Sequence, residues 1–268
     1  MEKSSNVKVD FSFWEGITFP FECIYRHFKD FCYLIGSFSL FSAILMMFAG
    51  RGFACASGLE GSIYCINNVW FSLILFVFLF ILMACFVNRW WKIAFYNMSF
   101  KEAMKIKFGI ADIKTMGFIF LYLMVFCAIG IGFYWLYARV VTPNWVTELL
   151  LFMLVSLFII GGFFIIANAV VFARFLDGQE WLVFGKTFLP VFDNIYKLIA
   201  WFLFYLLLLI YLIQQAQRVF FICQKTMPLL LAGFAGDVAL QFVFYLMLAC
   251  GVSLLKFQER YIFGNDKN

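Results

Sequence analysis

The residue with the clearest capacity for chemistry is Asp237, set in the apolar stretch AGFAGDVALQFVFY. If a membrane helix starts near Leu229, this carboxylate lies about 12 Å inside it at a rise of about 1.5 Å per residue. An acid at that depth marks an ion or substrate path by default, because isolated charge in hydrocarbon is costly. Gln241 is one turn further on the same face, and Gln214 and Gln215 close the preceding apolar run. Asn168, near the inner end of another run, is suited to hydrogen-bond a neighbouring helix and completes the candidate polar path. A plainer reading begins the helix at Asp237 itself, as an N-cap after Gly236. Residues 237–256 are long enough to span alone, so the cap is favoured and the path is the alternative.

Other chemistries are excluded by what is missing. His27 is the single histidine, so no bis-histidine haem, HExxH zinc site or Ser-His-Asp triad is possible. It reads as an interfacial residue. No GxxxxGK[ST] phosphate loop occurs. The Ala-Gly-Asp around Asp237 lacks the second membrane aspartate of an aspartyl protease, since Asp112, Asp177 and Asp193 fall in polar linkers. Ala173-Arg174…Asp177-Gly178 has the residue types of a phospholipid-synthase motif in the wrong order. Of the eight cysteines, Cys23, Cys32, Cys85, Cys127 and Cys250 read as packing residues. Cys55 and Cys65 share one outer loop and can close a disulfide in an oxidising compartment, with Cys223 as a competing partner. The expectation is no metal, no cofactor and no catalytic residue.

The elements that must position these residues follow from composition. Apolar residues make up 65% of the 268 and charged residues 13%, with mean hydropathy +0.96 and forty Phe. A soluble domain carries about 45–50% apolar and about 25% charged residues, so the solvent of this chain is lipid. The net charge of +5 does not point to nucleic acid, because the cations flank apolar runs, where they anchor helices and meet anionic headgroups. The opening MEKSSNVKVDFSFWEG has no apolar core or small-residue cleavage site of a signal peptide.

Residues 1–30 form a polar segment that becomes amphipathic. Six spans follow at about 31–50, 69–88, 116–136, 149–172, 198–213 and 229–255, the fifth running on if Gln214, Gln215 and Gln217 belong to it. The longest polar interruption is Arg89–Lys114, RWWKIAFYNMSFKEAMKIKFGIADIK. Six spans place both termini on one side, and that side then holds sixteen of the twenty Lys and Arg. The positive-inside rule makes it the cytoplasm. Trp90, Trp91, Trp181 and Trp201 are expected at the inner interface, Trp70, Trp135 and Trp145 at the outer.

Three linkers share a pattern: Gly16-Ile17-Thr18-Phe19, Asn97-Met98-Ser99-Phe100 and Gly185-Lys186-Thr187-Phe188. Gly or Asn tolerates the left-handed backbone that ends a helix. Thr18, Ser99 and Thr187 then cap a new helix, Ser99 with Glu102 as a capping box. Each new helix is short, basic and aromatic, suited to the inner interface. Gly161-Gly162 and Gly130-x-Gly132 suit close helix packing.

These linkers, the Asn88-Arg89-Trp90 exit of span two and the Ala173-Arg174-Phe175 exit of span four resemble a broad bacterial group. It comprises the six-span YciC-type proteins and the membrane domain attached to some glycerophosphodiester phosphodiesterases. The resemblance covers most of the chain as hydropathy plus short linker motifs, and it implies a bacterial inner-membrane protein with no catalytic residues to carry over.

The expectation is therefore one all-α integral membrane domain over 1–268. It has six transmembrane helices as three hairpins, each preceded by a short interfacial amphipathic helix, with both termini cytoplasmic. Its partners are the bilayer, anionic headgroups and other membrane subunits, not nucleic acid. The function expected is a non-enzymatic structural or accessory subunit of a membrane assembly. The alternative is a small-solute or lipid transporter.

Overall fold

The computed structural model describes residues 12–48, 69–120 and 194–263, together with Leu176. Spans three and four, apart from the first residues of span three, lie outside this set, as do Asn168, Thr187, Cys55 and Cys65.

Local chemistry sets where each helix starts and stops. Helix α1 is Phe13–Arg26, and its cap is Ser12, whose hydroxyl accepts the Glu15 amide at 3.4 Å. Thr18, expected as the cap, lies in the second turn of this helix, its hydroxyl directed at the Glu15 carbonyl at 3.5 Å. An amide already bonded within a helix has no need of a cap, so the assignment moves six residues upstream. The helix ends at His27, and α2, Phe28–Phe48, follows without a loop.

Helix α3 is Val69–Tyr96. It continues two turns beyond the expected exit at residue 88, because nothing in Arg89-Trp90-Trp91-Lys92 opposes helix. It stops where Asn97 takes the left-handed conformation, φ 53°, and the Met98 amide donates back to the Lys92 carbonyl at 3.3 Å. Ser99 then caps α4, Phe100–Lys105, in a complete capping box with Glu102. A further helix, α5, occupies residues 110–120.

Helices α6, Ile195–Gln224, and α7, Leu229–Phe263, pack against each other across a four-residue turn. Pro228 lacks the amide that a longer α6 would need. Its carbonyl instead accepts the amides of Leu231 and Ala232, at 2.9 and 3.0 Å, to start α7. The α6 helix takes in Gln214, Gln215 and Gln217.

Among the described residues there are four helical segments long and apolar enough to cross a membrane: Phe28–Met47, Val77–Tyr96, Tyr196–Gln224 and Leu229–Tyr261. They pack around an aromatic centre. Phe38 of α2, Phe86 of α3 and Tyr245 of α7 meet pairwise, with ring centroids 5.6, 5.8 and 4.7 Å apart. Such pairs contribute about 0.5–1.5 kcal/mol each beyond the area they bury. Ala43, Ala84 and Ala249 are fully buried, which lets helix backbones approach where lipid offers no hydrophobic drive to do so. Ser42 and Tyr245 share a hydrogen bond at 2.7 Å across the same centre.

The pairings Phe31–Trp90 and Trp201–Phe257 put the start of α2, the end of α3, the start of α6 and the end of α7 at one end of the bundle. Helices α1 and α4 cross that end. Arg218 and Lys225 lie at the opposite end, and the remaining eleven of the thirteen described Lys and Arg gather here.

Candidate functional site

The basic end has its own buried polar network. Arg89, in the last part of α3, is only 6% exposed, and Asp112, in the first turn of α5, is 2% exposed. Two charges leave water together only if they pair and the remaining polar valences are met. Here they are. The Arg89 guanidinium is ion-paired to Asp112 through Nη1, which also donates to the Cys85 carbonyl at 3.4 Å, while Nη2 donates to the Ile106 carbonyl at 2.9 Å. Asp112 Oδ1 accepts a second donor, Asn88 Nδ2, at 3.0 Å. Its Oδ2 accepts the Gly109 amide at 3.0 Å, which is the backward half of a capping box at the start of α5. Thr115 closes the set, donating toward Asn88 Oδ1 at 3.2 Å and the Ala111 carbonyl at 2.9 Å.

This network ties the α4–α5 linker to α3. A parallel tie holds the start of α4, where Asp30 of α2 accepts the Phe100 amide at 2.8 Å and Tyr33 packs on Phe100. The carboxylate serves an otherwise orphaned amide at a helix N-terminus, where negative charge is favoured. Glu102, in the same box, has its carboxyl held below the ordinary carboxylate range by the Ser99 amide and hydroxyl.

Helix α1 is seated on the other side of this end. Trp201 Nε1 donates to the Phe13 carbonyl at 2.9 Å, and Tyr205 donates to the Ile17 carbonyl at 3.2 Å. Both acceptors are α1 backbone, so the seat depends on backbone approach, and Gly16 permits it. A Cβ there would fall 2.1 Å from the Trp201 ring. Tyr261 hydrogen-bonds Glu15, and Arg260 lies over the rings of Phe19 and Phe95 at 5.4 and 5.9 Å. Lys256 pairs with Glu259 at 2.7 Å and stands 5.4 Å over Trp91. Burial pushes the Cys23 thiol of α1 up to about 11, which keeps it a neutral packing residue rather than a nucleophile.

Trp90, Trp91 and Trp201 do stand at the basic end, but all three are fully buried against neighbouring helices. Trp90 reaches Ser253 Oγ at 3.2 Å. A Trp beside a cation at the end of an apolar run has the same sequence signature whether it faces lipid or a helix.

Asp237 is the other buried acid of interest, 6% exposed. It does not cap α7, which starts eight residues earlier at Leu229. The run MPLLLAGFAG is helical from Leu229 because Pro228 already supplies the start, so the favoured cap reading falls. Asp237 and Gln241 do lie one turn apart in α7. Gln215 is occupied differently, accepting from Arg218 Nη1 at 3.3 Å, and Gln214 is exposed. Among the described residues no group of three or more His, Cys, Asp or Glu is placed to hold a metal ion.

Sequence reasoning passed over Arg89 and Asp112, reading them as a topogenic cation and a linker acid. A usable signal existed in Gly109-x-x-Asp112 before an apolar run, the spacing of a cap whose third residue reaches back. No protein-family model, no curated protein and no solved structure matches the chain.

Proposed function

We propose that this protein is a non-enzymatic multi-pass membrane subunit that acts as a scaffold within a membrane assembly. The reading includes six spans arranged as three hairpins, both termini in the cytoplasm, and residence in a bacterial inner membrane with anionic headgroups against the basic end. The observation that carries it is the closure of the Arg89–Asp112 network. Its charges, amide and hydroxyl engage one another and the chain's own backbone, so the polar groups of this end hold linkers in place. Eleven cations at one end of the described helices support the orientation, by the positive-inside rule.

A second reading is a small-solute or lipid transporter. One observation favours it: Asp237 is buried two turns inside an apolar helix, where an ionisable group is expensive and commonly functional. The Asp237→Asn variant separates the two. As a scaffold, the variant retains its stoichiometric partners after gentle detergent extraction and supports growth as the parent does. A growth or flux defect with the assembly intact overturns the scaffold in favour of transport. Reporter fusions at Asn268 test the orientation, and activity of a periplasmic reporter there sinks it.

A further inference from the structure

Helix α1 buries Gly16, Pro20, Cys23 and Ile24 against the bundle. The opposite side bears a second apolar stripe that the bundle covers only in part, where Phe21 stacks on Tyr205 at 6.4 Å. Trp14 is 72% exposed, Tyr25 82%, and Phe21 lies between them, also exposed. Their spacings of seven and four residues place the three rings on one line along the helix. Two rings as open as Trp14 and Tyr25, joined by the partly covered Phe21 along one short helix, form an apolar patch that water does not favour. The carboxylates beside the stripe are already engaged: Glu22 lies 3.7 Å from Arg26, and Glu15 accepts from Tyr261.

We propose that this stripe is a membrane-surface docking face, with Trp14, Phe21 and Tyr25 set into the headgroup layer of an anionic bilayer leaflet. Two features select that occupant. Helix α2 follows α1 after the single residue His27 and is apolar enough to cross a membrane, which brings α1 to the depth where a span leaves lipid. The end of the bundle that α1 crosses also holds most of the described cations, including Lys29 at the α1–α2 junction, and these complement anionic headgroups. Amphipathic aromatic rings favour that layer, with an apolar body in the acyl boundary and a polar edge in water. The ion pair of Glu22 with Arg26 lowers the repulsion that a bare carboxylate would meet there. The inference rests on the membrane reading and adds to it the element that lies along the surface and the side chains that enter it.

The test is tryptophan quenching in proteoliposomes of phosphatidylglycerol and phosphatidylcholine, with bromine on the upper acyl carbons of the lipids. The emission lost in a Trp14→Phe variant isolates the Trp14 signal from the other seven tryptophans. Quenching of that difference signal by brominated lipid, with weak response to acrylamide, is the expected result. Moving the probe with Tyr25→Trp in the Trp14→Phe background should restore lipid-quenchable emission. A difference signal reached by acrylamide and not by bromine means the stripe faces water, and one shielded from both means a protein covers it. Either result overturns the proposal. Should brominated lipid quench none of the eight tryptophans, the membrane reading itself fails, which is a distinct outcome.

Discussion

The guanidinium of Arg89 and the carboxylate of Asp112, twenty-three residues apart in sequence, meet inside the bundle as a buried ion pair. Removing one partner strands the other charge away from water, a loss of about 3–5 kcal/mol. Asp112→Ala or Arg89→Leu should therefore lower the thermal midpoint in detergent substantially. The double variant Arg89→Met with Asp112→Leu should lose less than the sum of the single changes, because it strands no charge. Additive losses in that cycle would show the pair to be uncoupled.

Gly16 and Trp201 give the second prediction. With a ring 2.1 Å from any Cβ, Gly16→Ala must displace either α1 or the indole that hydrogen-bonds Phe13. Overpacking of this kind costs about 1–3 kcal/mol. Trimming the ring with Trp201→Leu should make Gly16→Ala nearly neutral in that background, a coupling a double-mutant cycle reads directly. Equal cost in both backgrounds refutes the contact.

Asn97 ends α3 with φ at 53°, a conformation that costs a β-branched residue roughly 1–2 kcal/mol. Asn97→Gly should retain the parental stability and Asn97→Val should lose that amount, both measured by thermal melting in detergent. The opposite order would mean the linker takes another path.

Glu102 supplies a pH prediction. Its carboxyl sits below the ordinary value of 4.5 because the charged form accepts from Ser99. A lowered folded value means that the stabilisation is present above pH 4.5 and is lost as the pH falls through the folded value. Hydrogen exchange at the first amides of α4 should accelerate, relative to its intrinsic rate, as the pH drops below 4.5. Glu102→Gln should remove that pH dependence. An unchanged profile in the variant counts against the box.

Several local features can be read directly from the chain. The end of α3 at Asn97 and the Ser99–Glu102 box depend on residues within one turn of each other, so residue type and spacing suffice to find them. The four described helices of membrane length begin and end within a few residues of the apolar runs, or run on where adjoining polar residues accept helix. Local pattern misled at Thr18, which shares the linker motif yet sits inside a helix that Ser12 starts. The Ser12-x-x-Glu15 spacing carried the better signal. Asp237 misled in the same way, since a cap and a buried acid look alike until the start of the helix is known.

What the amino-acid sequence determined alone is the solvent: too many apolar residues in unbroken runs for water, with cations gathered at their ends. Helix identity follows, because hydrocarbon obliges each run to satisfy its own backbone. Only the tertiary structure decided that Arg89 faces Asp112, that Trp201 rests on Gly16, and that Trp90 and Trp91 point into the bundle. Each of these depends on which helix stands beside which. In lipid that choice is made by shape and by paired polar groups, and hydropathy carries no record of it.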